Sequence, residues 1–338
     1  MFNFDIPRYE KVVNDAIALR TAIEAAVDKV CAEGYSNLFF IGCGGTYAHT
    51  LPMKYWLDTT SAKIEMHPVI AKEFVSMGHK RFTKDSVCIF SSRSGNTKEI
   101  VEAARFCKEA GARTIVYVSN DNTPICDYAD YKVCSFAEDD CLCEAIYTFQ
   151  IMLLGRFLKN AGEFDQYDRM MTEYEQLTPY LIKGKELYEE RCREMAEKHK
   201  DMDYVMVVGS GMLWGEAYDY AMCILEEMQW IRTKSIHAAE FFHGTLELLE
   251  KDVPMIMLYG EDETEPMMDR VKAFASHITQ DINIFDTSEV ELPFSEPLFR
   301  KIVSPLVVYA ITERLSCHLE KVRNHPLTTR RYYRQFDY

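Results

Sequence analysis

The pattern that most restricts how this chain can fold occurs twice. Leu38-Phe-Phe-Ile41 is an apolar run that ends in Gly42-Cys-Gly-Gly-Thr46-Tyr47, and Asp203-Tyr-Val-Met-Val-Val208 runs into Gly209-Ser-Gly-Met-Leu-Trp-Gly215 in the same way. Apolar strand, glycine turn and helix make the βα unit of a parallel sheet, whose ligand crevice lies beyond the carboxyl ends of the strands. One such unit per half implies internal duplication of an α/β layer. The first turn is neither G-x-G-x-x-G nor a Walker A loop, because no Lys-Ser/Thr pair follows at the right offset.

The rest of the chain fits this frame. Apolar residues at helical spacing run from Tyr9 to Glu33 and stop at Gly34, and Pro52 is expected to kink or delay the helix after the first turn. Ser86–Phe90 and Thr114–Val118 read as strands, Tyr131–Cys134 as a short edge strand, and Thr97–Ala110 and Glu144–Asn160 as helices. Past Glu163 the sequence is charged and helical, broken at Pro179. Val253–Tyr259 and Ile282–Phe285 then read as strands, Glu265–Ser276 as a helix and Phe299–Val322 as a final long one. The predicted layout is an α/β domain over 1–162, a helical connector over 163–202, a second α/β domain over 203–322, and a basic, aromatic tail over 323–338 that closes over the site or packs across a subunit.

Composition removes several classes of function. At 338 residues the chain exceeds what one core usually supports, and 48% hydrophobic residues are enough for two. A formal charge of −15 sets the protein against nucleic acid and anionic membranes, which attract basic faces. A local nest of backbone N–H groups still allows a small anion. Eleven cysteines with no Cys-x-x-Cys pair, the closest being Cys141 and Cys143, read as reduced core filler. Without a signal peptide or a long apolar run, the expected location is cytoplasmic.

Two stretches carry chemistry. Ser91-Ser-Arg-Ser-Gly-Asn-Thr97 places four hydroxyls, a glycine and an arginine where a helix N-terminus directs its free N–H groups, which suits a phosphate without a metal. The competing reading is a polar turn with Asn96 and Glu99 capping the helix. Glu227, flanking an apolar helical stripe, and His243, in Glu240-Phe-Phe-His-Gly244, form a candidate acid/base pair joined by a short irregular piece. The structural alternatives are a solvated glutamate and a packed core histidine, and His237 competes with His243.

Taken together, Cys43-Gly-Gly-Thr-Tyr47, Ser92-Arg-Ser-Gly-Asn-Thr97, Glu227-Met-Gln-Trp-Ile231, Ile236-His-Ala-Ala-Glu-Phe-Phe-His-Gly244 and Arg323-Asn-His-Pro-Leu-Thr-Thr-Arg-Arg-Tyr332 resemble the sugar isomerase (SIS) family, and more closely its fructosamine-6-phosphate deglycase branch. The resemblance implies two flavodoxin-like SIS subdomains, each a parallel five-stranded sheet flanked by helices. It implies phosphate and sugar binding by Gly44, Gly45, Thr46, Ser92, Arg93, Ser94 and Thr97, catalysis by Glu227 and His243, and His325 and Arg331 near the pocket. It also implies a phosphorylated sugar-amine substrate, no metal or cofactor, and a homodimer or higher assembly with a shared site, to which the related glucosamine-6-phosphate synthase brings the histidine from the neighbouring subunit. The alternatives within the resemblance are a sugar-phosphate isomerase, a glucoselysine-type deglycase and a sugar-phosphate sensor. In two places the sequence departs from the synthase: a phosphate-loop serine becomes Ala145, and the carboxyl-terminal lysine falls near Arg331, which cannot form an imine.

Overall fold

The apolar runs form strands of two parallel sheets in the computed structural model, which describes residues 1–137, 142–333, 335 and 336. Cys141 and the tail residues Arg334, Asp337 and Tyr338 lie outside the described residues. The first sheet has the order β2-β1-β3-β4-β5, with β1 Leu38–Gly42, β2 Met66–Ile70, β3 Val87–Ser92, β4 Arg113–Val118 and β5 Tyr131–Cys134. The second has the order β7-β6-β8-β9, with β6 Tyr204–Gly209, β7 Arg232–His237, β8 Met255–Tyr259 and β9 Ile282–Asp286. The expected α/β class is found, but the second sheet has four strands among the described residues instead of five. After β9 the chain turns through Thr287–Glu289 and goes on to its last helix.

One unit comprises Asp5–Tyr180 with Leu292–Leu306 and holds the first sheet; the other comprises Met1–Phe4, Leu181–Glu291 and Val307–Tyr338 and holds the second. The helices are α1 Ile6–Ile17, α2 Arg20–Glu33, α3 Gly45–Ala48, α4 Thr50–Thr60, α5 Ala71–Met77, α6 Lys98–Glu109, α7 Leu142–Asn160, α8 Tyr167–Tyr174, α9 Thr178–Lys198, α10 Trp214–Asp219, α11 Glu265–Ala275 and α12 Pro297–Val322. The single helix expected over Tyr9–Glu33 is two, divided at Ala18 and Leu19. Pro52 sits in the first turn of α4, where its missing N–H costs nothing. Pro179 likewise starts α9 and does not break it.

Two strands were not anticipated, and both lie at a sheet edge. β2 contains Pro68, which an edge strand tolerates because it has neighbours on one side only. β7, Arg232-Thr-Lys-Ser-Ile-His237, replaces the irregular piece expected between Glu227 and His243. Central strands are covered on both faces and so read as continuous apolar runs, whereas these two do not. In the first unit α6 buries Ile100, Ala103, Ala104 and Cys107 in one core with Phe39, Phe90 and Val116. In the second, Met268 and Val271 of α11 join Met206, Val208 and Met257. Burying each large apolar side chain contributes about 1.5–3 kcal/mol. Of the ten described cysteines, all free, five are buried and five partly buried.

Candidate functional site

The carboxyl end of the first sheet carries the hydroxyl-rich turn. β1 ends at Gly42, where a Cβ would sit 2.5 Å from the Tyr47 nitrogen, and Gly44 takes φ +56° to start α3. Thr46 Oγ1 donates to the Cys43 carbonyl (2.9 Å) and accepts from the Cys43 N–H (3.1 Å), so its one proton is spent on the turn. In the loop after β3, Ser92 Oγ accepts from Gly95 N (3.1 Å) and Ser94 Oγ from Asn96 N (3.4 Å). Both hydroxyls therefore keep a proton to donate. Gly95 adopts φ +58°, and a Cβ there would collide with the Thr123 side chain, so the loop is drawn tightly against the turn after β4.

Thr97, not Asn96 or Glu99, occupies the N-cap of α6, and its side chain makes no capping hydrogen bond. Its first-turn N–H groups have no intrahelical acceptor, and the positive end of the helix faces the loop. Arg93 and Ser94 are exposed beside it, while Ser92 and Gly95 are buried. Such a nest can receive a phosphate. At the carboxyl ends of β3, β4 and β5 lie Ser91, one of the four hydroxyls of the turn, Ser119 and Ser135, and α7 adds Gln150; the sequence singled out none of the last three. All four are buried, Gln150 Nε2 donates weakly to Ser91 Oγ (3.4 Å), and Ser119 Oγ, Ser135 Oγ and Gln150 Oε1 have no hydrogen-bond partner among the described residues. Ala145 is buried in α7.

The duplicated turn in the second unit is built differently. β6 ends at Gly209, and Gly211 takes φ +52°, where a Cβ would lie within 2.6 Å of both Asp262 carboxylate oxygens. Asp262 comes from the loop after β8 and accepts from Met212 N (2.8 Å), Thr264 N (2.8 Å) and Thr264 Oγ1 (2.5 Å). Here the protein's own carboxylate fills the position of an anion.

Glu227 follows a π-helical turn over Tyr220–Glu226, with its N–H bonded to the Met222 carbonyl five residues back (3.0 Å). Turns of this kind often mark functional positions. Its carboxylate pairs through Oε1 with Arg330 Nε at 2.8 Å and is 40% exposed. His243 is also exposed, in the turn after β7, and so is not a packed core histidine. His237 is half-buried, its Nδ1 accepts from Ala239 N (3.1 Å), and burial lowers its pKa against the opposing pull of Glu240 and Asp262.

Glu227 and His243 lie toward opposite ends of one strand. Arg232 N bonds to the Asp203 carbonyl where β6 begins, and Ala238 N to the Gly209 carbonyl where it ends. At about 3.3 Å per residue, β7 puts roughly 16 Å of extended chain between the two flanking turns.

The tail packs around the Glu227–Ile231 segment. Gln229 Nε2 donates to the His325 carbonyl (2.9 Å), the His325 ring lies edge-on to Trp230 (4.4 Å), and the Arg331 guanidinium sits over Trp230 (4.0 Å). Burial, then Arg323 and Arg331, lower the His325 pKa. Trp230 adopts φ +55°, a left-handed conformation unusual for a bulky residue. The sequence pointed to His325 and Arg331; it gave no sign that Arg330 is the residue on Glu227.

Comparison with known proteins supplies the context. Residues 35–155 match the SIS domain family. The chain is 30% identical over 322 residues to fructosamine deglycase FrlB of Bacillus subtilis, covering 94% of this chain and 97% of that protein. It is 24% identical over 332 residues to fructoselysine 6-phosphate deglycase of Escherichia coli, covering 97% and 93%. A crystal structure from Bacillus subtilis described as a phosphosugar isomerase superposes with a TM-score of 0.89 at 28% identity, covering 96% of this chain and 99% of that one. No described helix is long and apolar enough to cross a membrane.

Proposed function

Because the chain belongs to the SIS (sugar isomerase) family, in its fructosamine deglycase branch, we propose that it cleaves a 6-phosphorylated fructosamine to glucose 6-phosphate and a free amino acid. The observation that carries this reading is the full-length likeness to two deglycases combined with Glu227, a carboxylate with one oxygen fixed by a cation. Glu227 Oε2 accepts no hydrogen bond among the described residues, and in this reading it is the oxygen that takes the proton.

In this reading the substrate phosphate sits on the Ser92–Thr97 loop and the α6 N-terminus, with Arg93 as counter-charge and the Gly44–Thr46 turn beside it. Binding energy gathered there, remote from the reacting carbons, positions C1 and C2. Glu227 takes a proton from C1, the carbon bearing the amine, and the C2 carbonyl oxygen gains a proton to give the enaminol. Return of the proton to C2 converts this to the C1 imine. Water adds to the imine, and the amine leaves with a proton as the C1 aldehyde forms.

A histidine suits the ring-opening and amine-protonating steps, because its ordinary pKa lies near neutrality. With β7 between Glu227 and the chain's own His243, the His243 that serves this site is that of a second copy. The working enzyme is then a dimer or larger.

The test is incubation with a panel of 6-phosphorylated fructosamines, reading amino-acid release and the identity of the hexose phosphate. Glucose 6-phosphate with a stoichiometric amino acid is expected. Ketose–aldose interconversion without amine release would assign a simple isomerase instead.

A further inference from the structure

We propose that Arg330, in the carboxyl-terminal tail, is the positioning residue for Glu227: it holds one carboxylate oxygen so that the other faces the substrate. This rests on the reading of Glu227 as the base. The ion pair runs from Nε to Oε1 at 2.8 Å, and Oε2 accepts no hydrogen bond among the described residues. A bidentate pair, the usual arginine–carboxylate geometry, would occupy both oxygens.

The other end of the guanidinium is fixed as well. Nη1 donates to the carbonyls of Leu327 (2.7 Å) and Thr329 (3.0 Å), so the fork is fixed by its own main chain. That segment is in turn anchored by Leu327 N on Glu320 Oε1 (3.1 Å), by Gln229 on the His325 carbonyl, and by Arg323, which donates to the carbonyls of Lys200 (2.5 Å) and Met202 (3.3 Å). Arg331 is committed to the Trp230 face. The two adjacent arginines thus divide the work, one clamping the turn and one the carboxylate.

The need for a cation follows from where Glu227 stands. It ends a helical segment, where exposed carbonyls make the local field negative and disfavour a carboxylate. A glutamate side chain that is 40% exposed would otherwise sample several rotamers. The π turn on one side and left-handed Trp230 on the other are costly conformations that persist only where surrounding contacts over-determine them. The tail supplies those contacts.

The experiment uses the full-length chain in its native assembly and the best-turned-over fructosamine 6-phosphate of the panel. Arg330→Ala is expected to lower kcat about 10²-fold, the cost of a misplaced catalytic group, with KM within about twofold. Arg330→Lys should recover part of the loss, and millimolar guanidinium chloride should recover part of it in Arg330→Ala. In a Glu227→Gln background Arg330→Ala should add nothing.

Unchanged or raised kcat in Arg330→Ala, a loss confined to KM, or an equal further loss on top of Glu227→Gln overturns the proposal. If Arg330→Ala also melts early, guanidinium rescue decides: rescue supports positioning, and its absence overturns it. A fully active Glu227→Gln instead overturns the reading of the base itself. So does failure of the wild-type chain to turn over any panel member, and this inference falls with it.

Discussion

The two halves of the chain use the same strand–glycine–helix device to opposite ends. In the first, β3 leads through serines and an arginine to a helix whose N-cap, Thr97, makes no side-chain capping bond. In the second, β8 leads through Gly260-Glu-Asp-Glu-Thr264, and Asp262 plugs the glycine turn with three hydrogen bonds. In the proposed reading, duplication did not double the binding site: one copy offers its donors to a ligand, while the other uses them for its own stability and contributes Glu227 at the far end of its sheet.

This contrast can be broken by substitution. The largest effect should come from Glu227→Gln, which keeps shape and removes the base. We expect kcat to fall about 10³-fold with an unchanged melting temperature; near wild-type turnover would return the second half to a purely structural role. Asp262→Ala should come next, destabilising the protein by about 1–2 kcal/mol because partly buried N–H donors lose their acceptor. Inorganic phosphate should restore part of that loss, read as a larger rise in melting temperature than wild type shows. If phosphate has no such effect, the two turns are not equivalent cradles.

Smaller effects sharpen the comparison. Ser94→Ala removes a donor from the open nest and should raise KM about tenfold with little change in kcat. Smaller still is a difference in acid sensitivity. Burial is the main cause of lowered pKa values at His199, His237, His318 and His325 in the second unit and at His67 in the first. A histidine whose folded pKa lies below its unfolded value binds fewer protons when folded, so stability is full above the unfolded pKa near 6.5 and declines as pH falls through it. Segment-resolved hydrogen exchange at pH 7.5 and 5.5 should show the second unit losing more protection.

The central strands were legible in the sequence because strands covered on both faces are apolar at every position, as in Leu38–Ile41 and Val205–Val208. β2 and β7 were not. Pro68 in one and Arg232-Thr-Lys-Ser in the other carry no such signature, since an edge strand meets solvent. The loss of β7 mattered most, because it hid the separation of Glu227 from His243. The hydroxyl-rich loop could be read from residue types alone, but Thr97 as the N-cap could not, since Asn96 and Glu99 offered an equally good capping pattern. Glu227 was a candidate from its place beside an apolar helical stripe, and the resemblance raised it above an ordinary helix glutamate. Arg330 meets Glu227 from about a hundred positions away, a contact that no local pattern records.

The length of β7 also sets a rule for mixtures. Two dead enzymes, one lacking the carboxylate and one the imidazole, carry complementary lesions when the halves of a site come from different polypeptides. Co-expressed, they should regain about a quarter of normal turnover by statistical pairing, and a cell with one allele of each would grow where neither alone suffices.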